Sequence, residues 1–405
     1  MRWRGLALSV LVSFACEADP LLEPATGTDP RGWLDAGFRR TDAEPTPMDA
    51  GLWPPDLGVA DPPDLGLPDE DASVGLDATP VERCRCPSPP QSCSLPAPDQ
   101  PIFSSDRDTL QDQLSALLAC ADLRLQIAMY RVEWPCVVDH LIALLTRDPD
   151  VAIELVIDDD ECPLVNGTRA CSLSRIQNHP RVAIVDDGRS RYMHHKFVLV
   201  DGVRLWVGSA NFEERSFCTD LNDAILIDEA GLIQAYQARF QRLFVDRQFG
   251  PATRSAPLVA GRYAVSFGPE SPLSQAPTWH NELLRAINTS STSLDLMINA
   301  FTRTDVSDAV IAAKNRGVSV RLLVHSLYAN DAPAQALLGA GLLVKKAQIH
   351  SKVLIVDNQR VYTGTPNWSS NAFENNEDSL RIDDPNLALR YTTEFDRAFL
   401  AATPL

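Results

Sequence analysis

Residues 194–211, HHKFVLVDGVRLWVGSAN, return at 350–367 as HSKVLIVDNQRVYTGTPN with no gap. Both copies carry His, Lys two places on, Asp seven on, Gly fourteen on, Ser or Thr fifteen on and Asn seventeen on. With ordinary composition, His-x-Lys-x4-Asp should start at roughly a few per thousand histidines, so two copies in one register are not chance. The chain is therefore written from two copies of one supersecondary unit.

The likeness extends outward. LRLQIAMY (123–130), the helical VVDHLIALL and VAIELVID (151–158) answer to TSLDLMIN (292–299), VSDAVIAAKNRG and VSVRLLVH (318–325). Downstream, Tyr236, Phe240 and Phe244 match Tyr391, Phe395 and Phe399, a one-faced helical stripe best read as core. Each half alternates strand and helix, then closes with a hairpin and a helix. The expected fold is α/β: two similar halves related by a pseudo-twofold, each a mixed β-sheet flanked by helices, spanning 102–250 and 251–405. An insertion in the first half holds Cys162 and Cys171, which could close a small loop.

Side chains alternate along a strand, so His194 and Lys196 share one face, as do His350 and Lys352. Four apolar residues follow in each copy, then a turn at Asp201-Gly202 or Asp357-Asn358, then a return strand ending in Gly-Ser-Ala-Asn or Gly-Thr-Pro-Asn. Each half thus gathers His, Lys, Ser209 or Thr365, and Asn211 or Asn367 at one sheet end. Two such ends facing one cleft suit a phosphodiester: Lys196, Lys352, Asn211 and Asn367 hold the nonbridging oxygens while the histidines flank phosphorus. One imidazole can attack and the other can protonate the leaving alkoxide. Asp223 and Glu377 occupy corresponding places as their orienting carboxylates. His195 falls on the opposite face and reads as structural; His140, His179, His280 and His325 lack the motif. Adjacent strand residues point apart, which argues against zinc on His194-His195.

Charge is uneven. Of the net −18, −13 lies in residues 17–82 (16 acids, 3 bases) and +2 in residues 1–16, leaving −7 for 83–405. Residues 16–101 read as a disordered spacer: from Glu17 to Pro101 they hold 17 of the 30 prolines and cannot bury enough apolar surface to offset ordering. Residues 1–15, with Arg2, Arg4 and an apolar run, read as an export signal, too short for a membrane span. Ser13-Phe14-Ala15 suits ordinary signal peptidase, whereas Ala15-Cys16 resembles the end of a lipobox that has Ser13 in place of its usual Leu. Without Cys16, eight cysteines remain to pair in an oxidising compartment, secreted or at the bacterial cell envelope. Cys84, Cys86 and Cys93 read as a disulfide-tied neck rather than a metal knuckle, there being no histidine near them.

The doubled His-x-Lys-x4-Asp motif resembles that of the phospholipase D superfamily, over roughly residues 100–405. GSANFEERSF is similar to the segment after the first motif in phospholipases and cardiolipin synthases, and NWSSNAFENNED to that of minimal bacterial nucleases. The resemblance implies that His194, Lys196, Asn211, His350, Lys352 and Asn367 form the phosphate site. It also implies that Asp201 and Asp357 support the fold around it, and that Asp223 and Glu377 stand at an acidic position. It further implies a phosphohistidine intermediate with His194 as nucleophile, hydrolysis without metal or other cofactor, and a capacity to transfer to an alcohol. A phospholipid at a membrane surface is favoured as substrate, because a mildly acidic body with no basic run lacks the electrostatic footprint of nucleic-acid binding. A secreted nuclease and a phosphatidyl transferase of cardiolipin synthase type are the alternatives. Both half-sites lie in one chain, so no protein partner is needed.

Overall fold

The computed structural model describes residues 86–405 apart from residue 96 and residues 106–108. The expected export signal, Cys16, Cys84 and the spacer up to residue 85 lie outside the described residues.

The first sheet contains β1 (Gln100–Phe103), β2 (Arg124–Met129), β3 (Ala152–Ile157), β4 (Val182–Asp186), β5 (Lys196–Val200), β6 (Arg204–Gly208) and β7 (Asp223–Ile227). Its order is β1-β7-β6-β5-β2-β3-β4, with β2, β3 and β4 parallel and the other pairs antiparallel. Parallel neighbours need a crossover, which the helix α2 (Pro135–Arg147) supplies between β2 and β3. It packs beside α1 (Thr109–Leu118) on the outer face, over Ile127 and Val198. A short helix, α3 (Glu214–Cys218), and the closing helix α4 (Ala230–Phe244) complete the half.

The second sheet repeats the plan with β8 (Leu258–Ala260), β9 (Tyr263–Phe267), β10 (Ser293–Ile298), β11 (Ser319–His325), β12 (Leu343–Ala347), β13 (Lys352–Val356), β14 (Arg360–Gly364), β15 (Asp378–Ile382) and β16 (Thr403–Pro404). Within its order β8-β9-β15-β14-β13-β10-β11-β12-β16, the run β15-β14-β13-β10-β11-β12 has the order and directions of β7-β6-β5-β2-β3-β4. Even the register agrees: Lys196 stands opposite Met129 and Lys352 opposite Ile298. Helices α5 (Thr278–Thr289), α6 (Thr304–Asn315) and α7 (Ala332–Gly339) cover its outer face, and α8 (Pro385–Ala401) closes it.

The period-2 pattern of each motif strand splits between two cores. Phe197 and Leu199 of β5 join Val353 and Ile355 of β13 in a central core, while Val198 and Leu354 face the outer helices. The aromatic stripes of α4 and α8 sit in that central core, with Tyr236, Phe240, Tyr391 and Phe395 buried there. The halves are thus joined by one continuous apolar interior.

The ordered body begins before residue 102, inside the stretch read as spacer. Gln100 and Pro101 already pair with Leu226 and Ile225, and the disulfides Cys86–Cys136 and Cys93–Cys120 fasten the preceding residues to the first half. An edge strand and two cross-links need little apolar sequence, so composition did not reveal them. Cys162–Cys171 closes the insertion loop, and Cys218 is also disulfide-bonded.

Candidate active site

Each motif starts where the chain enters its central strand, and the other half receives it there. The His194 N–H donates to the Asn376 carbonyl (3.0 Å) and the Asn376 N–H to the Tyr192 carbonyl (2.8 Å). The second copy does the same: the His350 N–H donates to the Leu221 carbonyl (2.9 Å) and the Leu221 N–H to the Gln348 carbonyl (3.0 Å). Leu221 and Asn376 are therefore equivalent, and so are Asn222 and Glu377, and Asp223 and Asp378.

This register corrects the pairing expected from the sequence. Glu377 does orient a motif histidine, accepting from His194 Nδ1 at 2.8 Å, with both side chains buried. At the matching position stands Asn222, whose Oδ1 accepts from His350 Nδ1 at 2.9 Å. Its Nδ2 donates to the Ser216 carbonyl, which fixes the amide with its oxygen toward His350. Asp223 points elsewhere, accepting from Thr363 Oγ1 (2.5 Å) and Tyr391 OH (3.2 Å). The reason is one residue of loop length: Asp223 lies twelve residues after Asn211, whereas Asp378 lies eleven after Asn367.

Both orienting groups cross from the opposite half, so neither half holds a complete site. With Nδ1–H donated, each imidazole keeps Nε2 for chemistry. Lys196 Nζ donates to its own motif's His194 carbonyl (3.0 Å) and lies 5.1 Å from the Tyr130 ring centroid, while Lys352 Nζ is 3.2 Å from His350 Nε2. Asn211 donates through Nδ2 to Glu213 (3.0 Å); Asn367 instead turns Oδ1 toward the Asn299 amide and the Ala300 N–H, both at 3.4 Å. These six motif side chains are nearly inaccessible, with His194 and His350 only 1% and 4% exposed. Water exclusion strengthens every charge interaction among them.

The other motif positions build the frame. Gly208 and Gly364 let the return strand touch the next one: an added Cβ would lie 2.1 Å from the Asp223 carbonyl oxygen and 2.2 Å from that of Asp378. Ser209 and Thr365 use that closeness, each hydroxyl accepting the N–H of Asp223 or Asp378. Asp201 and Asp357 adopt positive φ at the hairpin turn. They cap the starts of β2 and β10, taking the N–H groups of Asp122, Leu123 and Arg124, and of Ser291, Thr292 and Ser293. Burial pushes the Asp357 carboxyl up, but these donors outweigh it and hold it at about 2.

His195 shares its face with Phe197 and is fully buried. Its Nδ1 donates to Asp378 (2.6 Å) and its Nε2 accepts from Arg239 Nε (2.9 Å), an arrangement only the neutral ring allows. Desolvation lowers its pKa in the same sense, against the pull of Asp378. Tyr236 OH also donates to Asp378, at 2.9 Å, so helix α4 is bound to the strand that Glu377 immediately precedes. Sequence reasoning missed Asn222 and the wall residue Tyr130, whose ring centroid is 5.0 Å from that of His194. Reading Asn222-Asp223 beside Glu377-Asp378 would have found the first; Tyr130 has no counterpart in the repeat, where Asn299 stands.

The family model for the cardiolipin synthase, PLD-like domain matches twice, at residues 114–244 and 283–399. Mitochondrial cardiolipin hydrolase of Xenopus laevis is 30% identical over 166 residues, covering 41% of this chain and 71% of that protein. That of Homo sapiens is 32% identical over 131 residues, covering 31% and 52%. The crystal structure of phosphatidylserine synthase from Haemophilus influenzae Rd KW20 shares the fold with a TM-score of 0.58, over 76% of this chain and 88% of that one at 13% identity. The two family matches take in more than half of the chain and coincide with its two halves. With its doubled site assembled crosswise, the chain belongs to the phospholipase D superfamily and is a phosphodiesterase.

Proposed function

We propose that the protein is an exported phospholipase D that hydrolyses a glycerophospholipid to phosphatidate and the free head-group alcohol through a phosphohistidine on His194. The crosswise pairing of His194 with Glu377 and of His350 with Asn222 carries the reading. Attack by His194 Nε2 forms an N–P bond and leaves the ring positively charged, which the Glu377 carboxylate offsets through Nδ1–H. As the P–O bond to the head group breaks, its oxygen takes the proton from His350 Nε2. An amide partner leaves the His350 imidazolium a stronger acid than a carboxylate would. Neutral His350 then takes a proton from water as the water oxygen attacks phosphorus and the N–P bond breaks. Lys196, Lys352, Asn211 and Asn367 serve the nonbridging oxygens throughout.

Lipid as the substrate class rests on the net −7 of residues 83–405 and on similarity to cardiolipin hydrolases. Export, whether secreted or anchored through Cys16, is supported by the disulfides Cys86–Cys136, Cys93–Cys120 and Cys162–Cys171 together with the basic and apolar start of the chain. The description of the matching family favours a second reading, transfer of the phosphatidyl group to an alcohol in place of water.

The test is an assay of the purified chain on vesicles of phosphatidylcholine, phosphatidylethanolamine and cardiolipin, with and without added glycerol, beside single- and double-stranded DNA. Head-group release from a lipid is expected. Phosphatidylglycerol formed at the expense of phosphatidate would select transfer, and cleavage of DNA with no lipid turnover would overturn the assignment.

A further inference from the structure

We propose that Asp158, Asp159 and Asp187 form a binding site for a hard divalent cation of the calcium type, beside the chain leading into His194. Asp158 follows β3 and Asp187 follows β4, neighbouring parallel strands, so both leave the sheet at the same edge. One oxygen from each of the three carboxylates lies within 4.8 Å of the others. Ligand oxygens at the 2.3–2.6 Å usual for calcium fall within about 5 Å of one another, so one ion can reach all three.

Burial and the partners of these groups point to a ligand. Asp158 and Asp187 are 1% and 8% exposed, and no Lys, Arg or His among the described residues comes within ion-pair distance of any of the three; the Arg189 guanidinium acts on Asp187 and Asp158 from beyond that distance. The donors present are backbone N–H groups. Asp158 Oδ1 takes those of Asp160 and Glu161, Asp158 Oδ2 that of Met193 (2.8 Å), and Asp187 Oδ1 that of Asp159. Asp187 Oδ2 and Asp159 Oδ1 are buried with no N–H or O–H donor, and the two carboxyl groups lie within hydrogen-bonding reach of one another, with only a shared proton or a cation able to join them. A buried carboxylate oxygen left this way is costly unless a cation or proton meets it. The donor set is all oxygen, without His or Cys, which suits calcium over zinc. Calcium accepts variable oxygen geometry, whereas magnesium demands near-octahedral order.

The position gives the cation a use. Asp158 holds the N–H of Met193, the residue before His194, and starts the loop whose Glu161 accepts from Tyr130 OH and Arg131. An ion there would stiffen the lead-in to His194 and the Tyr130 wall. None of the three aspartates is among the phosphate-site residues, so the ion takes no part in bond making.

The test uses the full chain, stripped of metal with a chelating resin, titrated calorimetrically with calcium and then magnesium chloride, and melted with 1 mM calcium or EDTA. One calcium per chain is expected, with weaker magnesium binding and a melting temperature raised by several degrees. Asp187→Asn, nearly isosteric, should weaken calcium binding at least tenfold and remove the shift. Asp159→Asn provides the same reading should the first variant fold poorly. No binding at 10 mM calcium would overturn the proposal and assign the cluster a shared proton. Binding unaffected by either variant would overturn it too, by placing the ion elsewhere.

Discussion

The two half-sites share backbone, register and motif, and differ in what holds each histidine. His194 rests on the carboxylate of Glu377; His350 rests on the amide of Asn222. A carboxylate stabilises a positive ring, and an amide fixes the tautomer without adding charge. One fold duplicated thus gives its two histidines electrostatically different partners, because a single side chain differs at the point where the halves cross. The second level repeats the contrast. Asp378 binds neutral His195 and Tyr236, whereas the equivalent Asp223 binds Thr363 and Tyr391, so the half nearer His194 is fastened by a buried polar network that includes Arg239. Desolvation lowers the Arg239 guanidinium to about 9, still protonated at neutral pH.

Removing either histidine should break the symmetry most visibly. His194→Ala should lower turnover by at least about 10⁴-fold, since loss of a nucleophile that acts as a unit with its partners leaves only binding and electrostatics. Steady-state release of p-nitrophenol from a phosphodiester would measure it, and a residual rate within tenfold of the parent would contradict the role. Glu377→Gln keeps a hydrogen-bonding group against His194 but removes the charge, and should cost roughly 10²–10⁴-fold in kcat. If the halves were interchangeable, a neutral partner at 377 would be as harmless as the one at 222.

Asn222→Asp sharpens the comparison by giving His350 the partner His194 has. The new carboxylate favours the imidazolium, so the pKa of His350 rises and the alkaline limb of the pH–rate profile should move up by about one unit. An oxygen would also replace the Nδ2 donor to the Ser216 carbonyl and should cost about 1–3 kcal/mol of stability, so the position of the limb is the readout. An unmoved limb would mean that His350 is not the acid.

Much of this arrangement was legible in the sequence. The repeat is strict because alternation, turn and close approach each demand a residue type: His and Lys on one face, Asp to cap the neighbouring strand, Gly where two backbones meet. The mixed sheet, the hairpin and the closing helix of each half followed from the same pattern. Asn222 escaped because counting from the histidines slips by one residue of loop, and a crossing between halves leaves no local signal. Tyr130 escaped because it is specific to one half. The tie of residues 86–101 to the first half depends on disulfides, whose connectivity spacing does not determine.

Smaller effects concern the frame. Gly208→Ala and Gly364→Ala both drive a Cβ into a backbone carbonyl, but Gly364 also holds φ +126°, which an L side chain rarely adopts. Thermal melts should show both variants destabilised by more than about 2 kcal/mol, with Gly364→Ala the worse. At the periphery, Asp357 with its carboxyl at about 2 contributes stability that is complete above its ordinary value of 3.8. That contribution is lost as pH falls through about 2. Acid unfolding of Asp357→Asn should therefore differ from the parent near pH 7 and converge with it toward pH 2; a constant difference would show that the carboxylate's charge is not what the capping N–H groups recognise.

The division of labour between the histidines is tested most directly by asking which one carries phosphorus. His350→Asn removes the acid and the later base, so a substrate with a p-nitrophenol leaving group should still phosphorylate the enzyme while hydrolysis of the adduct slows. Rapid-quench trapping followed by mass spectrometry of the peptides bearing residues 194 and 350 should find the phosphoryl group on His194, and none on His350 in the His194→Ala protein. An adduct on His350 in that variant would contradict the account.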